Sequence, residues 1–290
     1  MSAAGYLELT KPRITVFILM STAIGFLCGT DVASRHAGNI WLTLFHTLLG
    51  TALIASGTAA LNQWYEREAD AKMNRTKFRP IPSGRILPAR AFWFATLLSI
   101  AGFADLWLGA NRLTALLGAF TLASYLFVYT PLKRRSPHST TIGAIPGAMP
   151  PLIGFAAAAG TLTAEAWILY AILFLWQFPH FYAIAWMYRE DYARAGIRML
   201  PVVEPDGAST ARRMVLFSLV LLPVSLLPKF MGDAGNVYLF GAAALGAMFA
   251  YAAIRVMFDR SLLRARQVLL ASVVYLPALY GLLALDRSHF

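Results

Sequence analysis

Residues 40–61, IWLTLFHTLLGTALIASGTAAL, run directly into residues 62–85, NQWYEREADAKMNRTKFRPIPSGR. The first stretch is apolar over a length that crosses a bilayer as a helix, and the second mixes acids with bases. Asn62, Glu66 and Asp70 recur at every fourth position, so a helix places them on one face. We call these three residues the oxygen row. The apolar stretch and the polar stretch together predict a membrane protein with a polar site at one membrane surface.

The composition also indicates a membrane protein, because 58% of the 290 residues are hydrophobic, 13% are charged and the mean hydropathy is +0.59. A soluble domain carries about 25% charged residues. Nine apolar runs reach bilayer length: residues 14–29, 40–61, 91–110, 113–130, 140–160, 164–187, 214–231, 237–258 and 268–285. They lack the alternation of barrel strands. We therefore predict an all-α integral membrane protein with nine transmembrane helices, in which residues 1–290 form a single domain.

Basic residues are distributed unevenly between the two sides of these spans. Of the 25 lysines and arginines, 21 lie at the N-terminus or near the connections after even-numbered spans. The other side carries Arg35, Arg112, Lys229 and Arg287. Cytoplasmic loops have such an excess, so we expect a cytoplasmic N-terminus and a C-terminus outside. The same asymmetry explains the net charge of +11 without a nucleic-acid partner.

Two long connections, residues 62–90 and 188–213, follow the second and sixth spans and share the predicted cytoplasmic side. Long loops in a compact protein are often functional, so we expect both to cap one active site. The fifth span is rich in small residues, which predicts close approach of a neighbouring helix. These small residues are Gly143, Ala144, Gly147, Ala148 and Gly154.

The oxygen row suits a divalent cation. A helix displaces its successive members by about 40° and about 6 Å, so their oxygens can converge on one Mg²⁺. Lys72, Arg75 and Arg79 follow, and such cations can neutralise a leaving diphosphate. A solvated, charge-balanced surface segment is the alternative. Asn62 argues against it, because a polar side chain within an apolar run is costly and usually functional.

A second group of polar residues lies in and after the sixth span. Gln177 and His180 are one helical turn apart within it, and Glu190 and Asp191, the second acidic pair, follow it. An intramembrane histidine is either a satisfied core residue or a functional group, and both readings stay open. Lys133 begins a cluster of three basic residues after the fourth span, where membrane anchoring and substrate contact are both open.

These features resemble the UbiA-type intramembrane prenyltransferases over most of residues 6–201. The oxygen row resembles the first aspartate-rich motif of that family, with Glu66 where the family usually has aspartate. A second Asp-x-x-x-Asp motif is missing, since Ala195 follows Asp191 by four positions, so a single Mg²⁺ is expected. Further segments resemble the haem-farnesylating branch: LTKPR at 9–13, PLKRRSP at 131–137, GAIPGAMPPLIG at 143–154, WQFPHF at 176–181 and DYARAGIRMLP at 191–201.

The resemblance implies a UbiA-like helix bundle around a central cavity, in a bacterial inner membrane. It implies transfer of a farnesyl group from farnesyl diphosphate to a vinyl group of haem b, with water addition, giving haem O and diphosphate. Haem A synthase or a terminal oxidase would receive the product. Two alternatives stay open: prenylation of a quinone precursor or chlorophyllide, and a membrane transporter or lipid-binding protein.

The implied site has two parts. Mg²⁺ would be held by the oxygen row, and Lys72, Arg75 and Arg79 would stabilise the leaving diphosphate. Contact with haem, or a second polar site, would come from five further residues: Gln177, His180, Lys133, Glu190 and Asp191.

Overall fold

The computed structural model describes residues 3–30 and 39–287, and these are almost entirely helical. Arg35, one of the four basic residues predicted on the outer side, lies outside them. The helices are α1 (Ala3–Leu9), α2 (Pro12–Thr30), α3 (Ile40–Asp70), α4 (Pro88–Gly109), α5 (Arg112–Ala123), α6 (Thr130–Leu132), α7 (Ser139–Gly147), α8 (Met149–Ala159), α9 (Ala164–Met187), α10 (Arg189–Arg194), α11 (Leu200–Val203), α12 (Ala208–Met231), α13 (Asn236–Phe258) and α14 (Leu262–Leu285).

Nine helical segments in the described ranges are long and apolar enough to cross a membrane, which confirms the predicted architecture. The fourth span, Arg112–Leu132, joins α5 to α6 through a π-helical segment, Ser124–Tyr129. The fifth, Ser139–Ala159, joins α7 to α8. On which side each terminus lies stays a prediction.

The second span continues nine residues beyond its predicted end, because α3 runs to Asp70 rather than stopping at Leu61. Its 31 residues rise about 46 Å, whereas the hydrocarbon core is about 30 Å thick. The last turns of α3 therefore extend past the apolar layer and carry the oxygen row. The two predicted connections shrink to residues 71–87 and 188–207, since α4 begins at Pro88 and α12 at Ala208.

Among the nine spans of the described residues the fifth is the most buried, and its second half, α8, packs backbone to backbone on α2. A Cβ atom on Gly154 would lie 1.9 Å from the carbonyl oxygen of Thr22. One on Gly25 would lie 2.0 Å from the carbonyl oxygen of Pro151. No larger residue fits at either position, so the predicted close approach of a neighbour is confirmed for Gly154.

The C-terminal half of the bundle has its own core between α9, α12, α13 and α14. Four fully buried tyrosines fill it: Tyr182, Tyr238, Tyr275 and Tyr280. Phe178 of α9 stacks on Phe217 of α12 with ring centroids 3.7 Å apart. This packing fixes the rotation of α9 and hence which of its residues reach the cavity.

Candidate active site

A cavity of about 470 Å³ opens at the end of the bundle where α3 terminates. This volume is typical of ligand pockets, which occupy roughly 300–1,000 Å³. Polar residues of its wall include Lys11, Asn62, Gln63, Glu66, Asp70, Arg75, Arg79, Tyr125, Tyr129, Lys133 and Gln177, with Ile14, Met73, Gly143, Gly147, Phe181 and Ile184 among the apolar ones. Both halves of the bundle thus contribute to one cavity.

The oxygen row lies entirely on the cavity wall, because α3 stays helical through Asp70. Asn62 is buried, and its Nδ2 donates to Thr130 Oγ1 at 3.3 Å. Asp70 is also buried, and its Oδ2 accepts from Arg79 Nη1 at 2.7 Å. The other carboxylate oxygen, Asp70 Oδ1, is buried without a hydrogen-bond partner. An orphaned buried oxygen costs free energy unless a ligand satisfies it.

Glu66 pairs with Lys133 across the cavity. Lys133 Nζ lies 2.9 Å from Glu66 Oε1 and 3.2 Å from Oε2, and 4.5 Å from the centroid of the Tyr129 ring. Burial by itself lowers the pKa of Lys133, but the Glu66 carboxylate outweighs it and holds that pKa well above its usual range. Lys133 is therefore a charged member of the cavity wall.

The donor set fits Mg²⁺, a hard cation that prefers oxygen ligands and keeps several water molecules. The oxygen row offers two carboxylates and one amide, and Asp70 Oδ1 has no other partner. No three His, Cys, Asp or Glu side chains come together anywhere in residues 3–30 and 39–287. A cation here would take its remaining ligands from water and from a diphosphate.

The structure places the three cations that follow the oxygen row in different surroundings. Arg75 and Arg79 lie on the cavity wall, whereas Lys72 is exposed and is not part of the wall. The physical reason is that α3 ends at Asp70, so Lys72 lies in the turns after the helix and not on the helical face that carries the oxygen row.

The second acidic pair is also absent from the cavity wall. Glu190 is exposed, and Asp191 is buried on α10. Its Oδ1 accepts from the backbone N–H of Asn74 at 3.3 Å and its Oδ2 from that of Arg75 at 3.2 Å, and Arg194 pairs with the same carboxylate. The structure therefore does not bring this pair to the cavity wall, and both oxygens of Asp191 already have partners.

Gln177 and His180 face different neighbours. Gln177 lies on the cavity wall, where Nε2 donates to the carbonyl oxygens of Ala144 and Leu173, both at 3.2 Å. His180 is not on the wall, and its Nδ1 lies 2.7 Å from Ser272 Oγ of α14. The Ser272 hydroxyl donates to a carbonyl at 2.6 Å, so His180 Nδ1 carries the proton of this pair.

Lys11 is a cavity residue that sequence reasoning treated only as part of a basic terminus. It sits between α1 and α2 with φ +49°, and among the described residues it is the only non-glycine in the left-handed region. Burial, together with the positive charges of Arg79 and Lys133, lowers the pKa of Lys11 to about 7. Strained backbone at a functional site typically costs about 1–3 kcal/mol. In the sequence, only the position of Lys11 within the LTKPR segment, residues 9–13, pointed to a role at the site.

Tyr125 and Tyr129 are also new to the site, and the π-helical segment Ser124–Tyr129 carries both. Their rings meet edge to face with centroids 4.9 Å apart. Side chains four positions apart lie on the same side of a helical segment, so both rings contribute to the same cavity wall.

A family comparison identifies the architecture. The UbiA prenyltransferase family matches residues 18–279 of the chain. The chain belongs to the UbiA prenyltransferase family. A full-length relative from Solibacter usitatus, named protoheme IX farnesyltransferase, is 63% identical and covers 97% of this chain and 98% of its own. Another with the same name, from Koribacter versatilis, is 47% identical and covers 98% of this chain and 93% of its own.

Solved structures share the fold of this UbiA family member. A digeranylgeranylglyceryl phosphate synthase aligns with a TM-score of 0.78 at 19% identity, covering 98% of this chain and 97% of its own. A UbiA homologue from Archaeoglobus fulgidus, bound to GPP and Mg²⁺, aligns with a TM-score of 0.69 at 16% identity, covering 97% and 99%. Membership of this family makes the chain a multi-pass membrane prenyltransferase and sets the transporter alternative aside.

Proposed function

We propose that this chain transfers the farnesyl group of farnesyl diphosphate to a vinyl group of haem b, with addition of water, giving haem O and diphosphate. The observation that carries this proposal is full-length identity of 63% to a relative named protoheme IX farnesyltransferase. The cavity agrees with it, because an oxygen row and paired cations suited to a diphosphate share one wall with aromatic and apolar side chains.

The oxygen row would hold Mg²⁺ through Asn62, Glu66 and Asp70. When bound, Mg²⁺ supplies Lewis-acid charge to the diphosphate oxygens. Arg75 and Arg79 lie on the same wall and would donate to the oxygens on which charge builds as the C–O bond breaks. Lys72 is exposed, so we leave it outside this role.

Lys11 and Lys133 complete the diphosphate side of the cavity. Lys133 is engaged with Glu66 and would shift toward the diphosphate once Mg²⁺ binds that carboxylate. Lys11 would gain a proton beside the incoming anion, because its pKa of about 7 rises when negative charge approaches.

Carbon–carbon bond formation follows loss of diphosphate, which leaves with the electron pair of the C–O bond. The terminal vinyl carbon of haem b attacks farnesyl C1, a water oxygen adds to the cation formed next to the porphyrin, and that water releases a proton. Tyr125 and Tyr129 line the cavity, and the faces of aromatic rings stabilise cations. The apolar wall residues Ile14 and Phe181 exclude water from the first cation.

Haem contacts are assigned by position. Gln177 and Lys133 are on the cavity wall and can reach a bound porphyrin, whereas Glu190 and Asp191 are not. His180 can ligate iron only through Nε2, because Ser272 occupies Nδ1. A His180→Ala protein with an unchanged haem spectrum and affinity would remove that role.

We infer a bacterial inner membrane as the location, with the N-terminus and residues 71–87 and 188–207 on the cytoplasmic side. The charge asymmetry of the connections supports this orientation. The farnesyl tail of the product favours the bilayer, so hand-over to haem A synthase or a terminal oxidase within the membrane is the expected next step.

The decisive experiment incubates purified protein with haem b, farnesyl diphosphate and Mg²⁺, and measures the extracted haem by mass spectrometry. The expected product is haem O. Unchanged haem b, together with prenylation of a quinone precursor or chlorophyllide supplied in parallel, would assign the chain to another branch of the family. Omission of Mg²⁺ serves as the control for the oxygen row.

A further inference from the structure

Asp191 joins the two connections that border the cavity. It lies on α10, is 7% exposed, and accepts from the backbone N–H groups of Asn74 and Arg75. Those two residues belong to residues 71–79, which follow the oxygen row and which we call the 71–79 turn. A single carboxylate thus fixes one connection against the other.

The Asp191 oxygens lie at the start of a helical turn, where backbone N–H groups lack partners. Lys77 N–H donates to the carbonyl of Met73 at 2.9 Å, which closes one helical turn. The first N–H groups of such a turn have no partner within it, and here they belong to Asn74 and Arg75. A carboxylate at that end satisfies both and is electrostatically favourable. Asp191 therefore acts as an N-cap supplied from a distant part of the chain.

The 71–79 turn connects the oxygen row to its neighbouring cations. Thr76 is buried and its hydroxyl donates to the carbonyl of Asp70 at 2.9 Å. Arg79 N–H donates to the carbonyl of Thr76 at 2.9 Å, and the Arg79 side chain returns to Asp70. The position of the turn consequently sets where Arg75 and Arg79 meet the cavity.

The side chain of Arg75 is supported from the same direction. Its guanidinium lies 4.9 Å from the centroid of the Tyr188 ring, next to α10. Arg75 is otherwise exposed, and its Nη2 donates to the Tyr192 hydroxyl at 3.5 Å, so its direction depends on these two tyrosines and on the backbone that Asp191 holds. Both supports come from residues 188–192.

Both oxygens of Asp191 already have hydrogen-bond partners. Two backbone N–H groups and Arg194 occupy its carboxylate, and it is not on the cavity wall. We propose that Asp191 is a positioning residue, which holds the 71–79 turn so that Arg75 meets the diphosphate of the prenyl donor. This proposal rests on the proposed function for the identity of that donor.

The first test compares Asp191→Asn with Asp206→Asn, the same substitution at an exposed aspartate of the same connection. In Asp191→Asn we expect kcat/KM for farnesyl diphosphate to fall on the order of tenfold, because Arg75 no longer meets the charge that builds on the leaving diphosphate. The Mg²⁺ concentration for half-maximal rate should stay within about twofold of the parent. A several-fold shift in the Mg²⁺ requirement would overturn the proposal in favour of a metal ligand.

The second test asks whether the effect passes through Arg75. On an Arg75→Ala background, Asp191→Asn should add less than about a twofold change in kcat/KM, because the two substitutions remove one shared function. Full additivity of the two losses would overturn the proposal. An apolar cluster that includes Met73, Ile197 and Met199 also joins the connections, so the variants retain most of that contact.

The third test needs no substrate and therefore separates this proposal from the proposed function. Amide hydrogen exchange of the full-length protein in detergent should show protected N–H groups at Asn74 and Arg75. Asp191→Asn should release both, while Asp206→Asn leaves them unchanged. Rapid exchange of these two amides in the parent protein would overturn the proposal that Asp191 holds the 71–79 turn, whatever the substrate of the enzyme.

Discussion

Two acidic regions stand at the same end of the bundle, the oxygen row of α3 and the second acidic pair after α9, yet only the first faces the cavity. Asp70 keeps one buried carboxylate oxygen without a partner. Asp191, nearly as buried, has both oxygens engaged by backbone N–H groups. Burial of an acid is thus a poor guide to its role. A buried carboxylate oxygen without a partner indicates a ligand site, whereas oxygens that already accept backbone hydrogen bonds indicate a structural cap.

Asp70→Asn provides the largest test of this contrast. It removes charge from the oxygen that we assign to Mg²⁺, so we expect prenyl transfer to fall by about 100-fold or more. Turnover and Mg²⁺ dependence should be measured together. Glu68→Gln is the matched control, because Glu68 is an exposed acid on the same helix, and near-parent activity of Asp70→Asn would remove the metal assignment.

Lys133→Met tests how much the ion pair of Glu66 and Lys133 contributes to the stability of the protein. It leaves the Glu66 carboxylate, whose side chain is 12% exposed, without its cation, which should destabilise the protein by about 3–5 kcal/mol. Thermal unfolding in detergent measures the loss. A Glu66→Gln, Lys133→Met double variant should recover most of it, whereas Arg134→Met, at an exposed neighbour, should have little effect.

Lys11 predicts a pH dependence of diphosphate binding. Its pKa of about 7 lies below the usual lysine value, so the ammonium is present below that pH and is lost above it. Affinity for farnesyl diphosphate should therefore be constant at lower pH and weaken several-fold as pH rises through about 7. Lys11→Arg stays charged, and calorimetry should find this slope absent. An identical slope in both proteins would exclude Lys11 as its source.

Glu190→Gln and Lys72→Ala give the smallest expected effect. Both side chains are exposed and off the cavity wall, so activity should change by less than about twofold. The steady-state rate at limiting farnesyl diphosphate is the sensitive measurement. A tenfold loss in either variant would bring that residue back into the site.

The sequence predicted the membrane spans well, because an apolar run of bilayer length has few alternative structures. Hydropathy ended the second span at Leu61, because it reports where the lipid ends and not where a helix ends. Only the four-residue spacing of the oxygen row indicated that the helix continues to Asp70. The sequence could not separate Gln177 from His180, which are about 60° apart around α9. Only the packing of that helix decides which of the two reaches the cavity.

The remaining site residues depend on backbone geometry that no periodicity reveals. Tyr125 and Tyr129 reach the cavity through a π-helical segment, and Lys11 through a left-handed backbone conformation before Pro12. The occupied oxygens of Asp191 depend on a contact with residues more than 100 positions earlier in the chain. The sequence placed Asp191 in the connection after the sixth span but gave no indication of which groups it contacts.

The pairing of Glu66 with Lys133 and of Asp70 with Arg79 means that the cavity carries its own counter-ions before any ligand arrives. A metal–diphosphate complex can then enter by partner exchange, in which each displaced cation remains beside the incoming anion. Little uncompensated charge has to be created at the edge of a low-dielectric membrane during this exchange. Product release reverses it, since the same cations can return to their carboxylates as diphosphate departs.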